Sequence, residues 1–159
     1  MLYFQCPRSL VLLGLLLAGV PACGDGSRGA DEAPDRTPPA DGALTAFQVE
    51  HGIGPLTEAV TLGELDTELA AQGALVFEAK CSACHKLGER YVGPALGEVL
   101  DRRTPAFVMN MMLNPEEMYQ RHPEVKKLLA EYMSYMPNQN VTPDDARAVV
   151  EYLRQGATP

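Results

Sequence analysis

The chain has 159 residues, of which 46% are hydrophobic and 6% aromatic, and it carries a formal net charge of −8. That length holds one modest domain with appendages and excludes two full domains. No basic stripe of the kind that neutralises phosphates is present, which argues against nucleic acid as a partner.

The first 22 residues read as a segment removed during export. Arg8 and the amino terminus give a basic start, Leu10 to Val20 form an unbroken run of apolar residues and glycine, and "VPAC" closes it. The run is too short to span a bilayer, which takes about 20 residues, but it suits the apolar core of an export signal. Cleavage after Ala22 would release an ordinary secreted chain. "VPAC" also resembles the bacterial lipobox, whose cysteine is acylated, so Cys23 is the expected lipidated first residue of the mature protein. Gly24, rather than an aspartate, resembles the sorting pattern for the outer membrane in Gram-negative bacteria. With Cys6 discarded and Cys23 acylated, only Cys81 and Cys84 remain as thiols, and no disulfide framework is expected.

Residues 23–46 are Gly, Ala, Pro, Asp and Ser with almost no large apolar side chain. They cannot bury enough surface to offset chain entropy, which predicts a disordered tether. Residues 24–66 hold nine acidic side chains against two basic, whereas residues 67–159 hold twelve against ten. The net acidity thus belongs mostly to the tether and the segment that follows it, where it serves solubility and self-repulsion. Residues 47–65 form a transitional segment with Phe47, Ile53, Leu56 and Val60 as anchors, expected to pack along the surface of a domain spanning 66–159.

That domain reads as helices separated by stop signals. Leu69, Gly73, Val76, Phe77 and Lys80 recur at helical spacing and predict an amphipathic helix over 66–80. Thr104 caps a second helix with Pro105 at its first position, and "NP" at 114–115 ends it. Pro123 begins a third, with Val125, Leu128, Leu129 and Tyr132 on one face. In the last, Thr142 is the cap, Pro143 sits in the first turn, Asp145 can return to the cap, and Ala146, Val149, Val150 and Leu153 share a face. Strand patterns are absent. The expectation is an all-α domain of four or five short helices.

The first of these helices runs into "KCSACHK", where Cys81 and Cys84 lie one turn apart and His85 follows. A structural zinc site wants four protein ligands, and only three are offered. His51 and His122 lack ligand-like spacing and read as surface histidines. A thioredoxin-type dithiol wants a βαβ context, which is missing. Covalent haem attachment needs two thiols, one for each vinyl group of the macrocycle, and a histidine beside them to ligate the iron. Cys-x-x-Cys-His provides both in one turn, and export fits, because this attachment occurs outside the cytoplasm. A low-spin electron carrier needs a second strong iron ligand, and methionine raises the potential. Met109, Met111 and Met112 lie on an apolar helix where methionine usually packs. Met118 has no distinctive setting, and Met133 continues the face of the preceding helix as core. Met136 stands in a loop stiffened by Pro137, which makes it the favoured ligand, with Met133 as the alternative.

From about Thr67 to Gln155 the sequence resembles the class I mono-haem cytochromes c, with "AAQGALVFEAK", "CSACH", "VGPAL" and "YMPNQNVTPDDARAVVEYL" in that family's order. The resemblance implies a small cytochrome c fold around one covalent haem c per chain. It implies that Pro94 offers its carbonyl to the second nitrogen of His85, and that Gly73, Phe77 and Tyr152 mediate a crosswise packing of the first helix on the last. "GIGPLTEAVTLGELD", "RRTPAFVMNMMLNPEEM" and "LLAEYMSYMPNQNV" further resemble small cytochromes associated with nitrous oxide reductase. Proline after the ligand-like methionine departs from the usual pattern of that subgroup. The expected function is a membrane-tethered periplasmic one-electron carrier, not an enzyme, with redox proteins as partners, nitrous oxide reductase among the candidates, and no small-molecule substrate. The rival is a haem-based gas sensor or peroxidase with an open sixth iron position, which high-spin absorption bands would reveal.

Overall fold

The computed structural model describes residues 42–156. The signal segment, Cys23 and residues 23–41 of the expected tether lie outside the described residues. Seven helices and no strand appear among the described residues: α1 (Ala46–His51), α2 (Thr67–Lys80), α3 (Val99–Arg102), α4 (Pro105–Leu113), α5 (Pro115–Arg121), α6 (Pro123–Tyr132) and α7 (Pro143–Gly156). The fold is all-α, as expected, with three more short helices than the four read individually from the sequence.

Proline explains the count. Pro105, Pro115 and Pro123 each stand in the first turn of a helix, where a missing N–H is harmless. The "NP" pair therefore ends α4 and begins α5 at once: Asn114, at φ −145° and ψ 56°, breaks the helix, and Pro115 restarts it. His122 performs the same double duty between α5 and α6.

α2 packs across α7, and both are capped as their sequences suggest. Asp66 Oδ1 accepts from the Leu69 N–H at 2.9 Å. Thr142 and Asp145 form a reciprocal box, with bonds of 3.0 and 3.1 Å. At the crossing, a Cβ added to Gly73 would lie 2.0 Å from the Ala148 carbonyl oxygen, so only glycine permits this approach. Phe77 and Tyr152 flank it with ring centroids 5.2 Å apart. The buried face of α2 is Ala70, Gly73 and Phe77, rotated slightly from the stripe read in the sequence. On α7, Ala146, Val149, Val150 and Leu153 are all buried. The same helix buries Glu151, whose charge is met by Arg147 at 2.6 Å and Arg154 at 2.7 Å. Arg154 also donates to the Gly63 carbonyl at 2.9 Å, which ties the preceding segment to α7.

Residues 44–65 are more than a surface wrap. Thr45 is buried and forms a capping box with Gln48, starting α1 inside the stretch expected to be disordered. Phe47 and Ile53 are buried core residues, and Ile53 joins Phe107, Met118 and Val125 in a second apolar cluster. Asn110, fully buried on α4, donates to the carbonyls of His51 and Leu56 and accepts from the Leu56 N–H, leaving no amide group unpaired. Met118 is fully buried as well, and its sulfur accepts from the Ile53 N–H at 3.1 Å.

His122 is not the surface histidine the sequence suggested. It is buried at 0% exposure, packed edge-on against Phe107 at 5.1 Å. Nδ1 accepts from the Glu124 N–H at 3.3 Å, so the proton sits on Nε2, which donates to the Val49 carbonyl at 3.1 Å. Burial holds its pKa below the usual histidine value. His51, half-buried, bonds Thr104 through Nδ1 at 2.9 Å.

Candidate functional site

Cys81 closes α2 as its C-cap, its N–H bonded to the Phe77 carbonyl at 2.8 Å. The chain then turns tightly, with the N–H groups of Cys84 and His85 both reaching the Cys81 carbonyl, at 3.0 and 2.9 Å. This turn brings the two thiols and the imidazole to one wall of a cavity of about 240 Å³. Cys81 is buried, Cys84 exposed, and neither forms a disulfide. Burial pushes the Cys81 thiol above its ordinary pKa, the opposite of what a redox-active dithiol requires. No group of three or more His, Cys, Asp or Glu side chains able to hold a metal ion occurs among the described residues.

His85 is oriented by the loop that follows it. Its Nδ1 lies 3.0 Å from the Pro94 carbonyl oxygen. A carbonyl can only accept, so Nδ1 carries the proton and Nε2 keeps its lone pair for another partner. The loop is cinched by bonds from Gly93 N–H to Cys84, Leu96 N–H to Lys86 and Gly97 N–H to Leu87 carbonyls, at 2.9, 3.0 and 2.9 Å. Gly93 lies against the imidazole itself: a Cβ there would stand 2.4 Å from His85 Cε1.

The rest of the cavity is lined mainly by apolar side chains from α2, α4, α6 and α7, including Phe77, Val108, Met111, Met112, Leu128, Val149 and Leu153. Several of these also belong to the core of the domain, so the cavity is cut into that core. Lys80, Arg102, Arg103, Ser134 and Gln139 contribute to its polar lining. Such a lining suits a large, mostly apolar group with a few charged substituents, with Cys81 and Cys84 on its wall.

Met136 lines the same cavity, from the segment between α6 and α7. Met133 does not line it. It is the C-cap of α6 in the left-handed conformation, φ 51°, and is 84% exposed, so its assignment to the core is corrected. The reason is geometric: a left-handed cap turns the chain away from the helical face that Met133 would otherwise have continued. Met111 was expected to be packing only, yet it lines the cavity as well as joining the second cluster.

Tyr119 had no role in the sequence reading. Its phenol oxygen accepts from the Met136 N–H at 2.6 Å, and its ring meets Tyr135 edge-on at 5.1 Å. The contact joins residues 17 apart across a helix boundary, and nothing local in the sequence signals it. Lys80 Nζ makes a second tie to this segment, donating to the Gln139 carbonyl at 3.0 Å.

The family model for cytochrome c matches residues 70–157. Among solved structures, a cytochrome c from Rhodothermus marinus is 48% identical, with 69% of this chain and 95% of that chain covered and a TM-score of 0.66. An engineered form of that cytochrome, bound to a carbene intermediate, is 47% identical, with 70% and 97% covered and a TM-score of 0.64. No curated protein matches.

Proposed function

Because this chain belongs to the cytochrome c family and so carries a covalently bound c-type haem for electron transfer, we propose that it is a lipid-anchored, exported one-electron carrier in which His85 and Met136 would ligate the haem iron. A bound haem supplies an iron that takes up and releases one electron. The residues of this chain do the rest. Cys81 and Cys84 would hold the macrocycle by thioether bonds, and the Pro94 carbonyl fixes the His85 ring and raises the basicity of Nε2. The apolar wall from α4 and α7 would limit water beside the group, which together with a thioether ligand would favour the reduced state.

The observation that carries the ligand pair is that Met136 lines the cavity shared by Cys81, Cys84 and His85, while Met133, the other loop candidate, faces solvent. The test is spectroscopic. Ferric protein should be low-spin, with the weak far-red band of methionine-ligated iron, and Met136→Ala should abolish that band and lower the potential. A wild-type protein that is high-spin and takes up carbon monoxide rapidly would instead establish the open-site sensor or peroxidase.

Anchoring rests on the "VPAC" boundary and the apolar run before it. No helix among the described residues is long and apolar enough to cross a membrane. Mass spectrometry of the membrane fraction should find Cys23 as an acylated amino terminus. A mature chain with another first residue would remove the anchor. The acceptor or donor is a periplasmic redox protein. Nitrous oxide reductase is the specific candidate, supported by the narrower sequence resemblance and named by neither the family match nor the solved neighbours.

A further inference from the structure

The segment joining α6 to α7 has no helix or strand of its own. Among the described residues, the only two non-glycine residues with positive φ are Met133 and Asn140, both at 51°, and they bracket Met136. Left-handed backbone is unfavourable for residues with a side chain, so this segment needs outside support to hold its shape. One contact acts on Met136 itself, the bond from its N–H to Tyr119 Oη at 2.6 Å. Tyr119 is well placed to give that support. It belongs to α5, whose neighbouring Met118 is fully buried and bonded to the Ile53 N–H. Its ring packs against the second apolar cluster and against Tyr135.

We propose that Tyr119 is a positioning residue for Met136: its phenol oxygen pins the Met136 backbone to α5 and sets how readily that methionine yields its place to another ligand. The proposal rests on Met136 being the axial ligand. Displacing the methionine requires the segment to move, and moving it breaks this hydrogen bond. Removing the acceptor lowers the cost of opening, whereas the ring, which carries the packing, can stay.

Tyr119→Phe makes that separation. The ferric holoprotein should bind imidazole about 5- to 100-fold more tightly than wild type, the range expected for one lost hydrogen bond to a partly buried group. In a Met136→Ala background, where there is no methionine to displace, Tyr119→Phe should change imidazole affinity by less than about twofold. Unchanged affinity in the single variant overturns the proposal. So does an equal tightening in both backgrounds, which would mean that Tyr119 merely restricts access to the cavity. If Met136→Ala alone leaves both spectrum and imidazole affinity as in wild type, the ligand assignment falls and this proposal with it. A measurement on the unmutated holoprotein stands independently of any variant. The Met136 amide should exchange its hydrogen at least about tenfold more slowly than the Tyr135 and Gln139 amides, and equal rates overturn the proposal.

Discussion

Met133 and Met136 sit three residues apart and meet opposite environments, one in solvent and one on the cavity wall. Met133→Ala should therefore leave the absorption spectrum alone and change stability by no more than about 0.5 kcal/mol, as for other exposed side chains. Urea unfolding of the ferric protein measures it. Gly93 is more sensitive than either. Its hydrogens face the His85 ring, and the methyl group of alanine would press on Cε1 and Nδ1 from 2.4 and 2.9 Å. Because Pro94 holds the other side of that geometry, the ring must tilt or the loop must shift. Gly93→Ala should cost about 1 to 3 kcal/mol and reduce the low-spin fraction. Thermal unfolding and the ferric spectrum, recorded on the same sample, check both.

At the scale of elements, two junctions carry most of the specificity. The α2–α7 crossing depends on Gly73, where a methyl group would collide with backbone rather than with a side chain that could rotate away. Gly73→Ala should cost about 3 kcal/mol, the upper end of ordinary overpacking, despite alanine being the better helix former. The second junction joins α1 to the start of α6 through His122. Burial lowers its pKa, so between the folded value and the ordinary 6.5 the unfolded chain binds more protons than the folded one. The neutral ring's contribution is thus complete above about pH 6.5 and is lost as pH falls through the folded value. Stability measured by urea unfolding should decline from pH 7 towards pH 5. His122→Asn, which can still cap α6 but has no proton to gain, should be less stable at pH 7 and flatter across that range.

Over the whole molecule, the cavity and the hydrophobic core are largely the same set of side chains: Phe77, Val108, Met112, Val149 and Leu153 belong to both. A chain that cannot bond its haem loses the group against which these residues pack, and the two crossed helices lose much of their reason to stay together. Cys81→Ala/Cys84→Ala should lower Tm by more than about 20 °C, corresponding to a loss of roughly 5 kcal/mol in a domain of this size. Circular dichroism should show reduced helix content, and a double variant with native helicity and Tm would show that the polypeptide core suffices alone.

Where the physics is local, the sequence alone determined the outcome. The caps at Thr104 and Thr142, the prolines in first turns, the apolar face of α7 and the Cys81–Cys84–His85 turn each depend on residues within a few positions of one another. The crossing role of Gly73 and the carbonyl role of Pro94 were legible only through the family pattern, since a close approach and a carbonyl bond have no signature in composition. Tertiary structure decided the remainder. It sent Met133 into solvent by a left-handed cap, buried His122 by docking α1 over it, and recruited Asn110 and Met118 to satisfy the backbone of residues 51–56. It also brought Tyr119 to Met136. Those partners lie 17 to 73 residues apart, and a polar atom's need for a partner says nothing, in one dimension, about which distant residue will meet it.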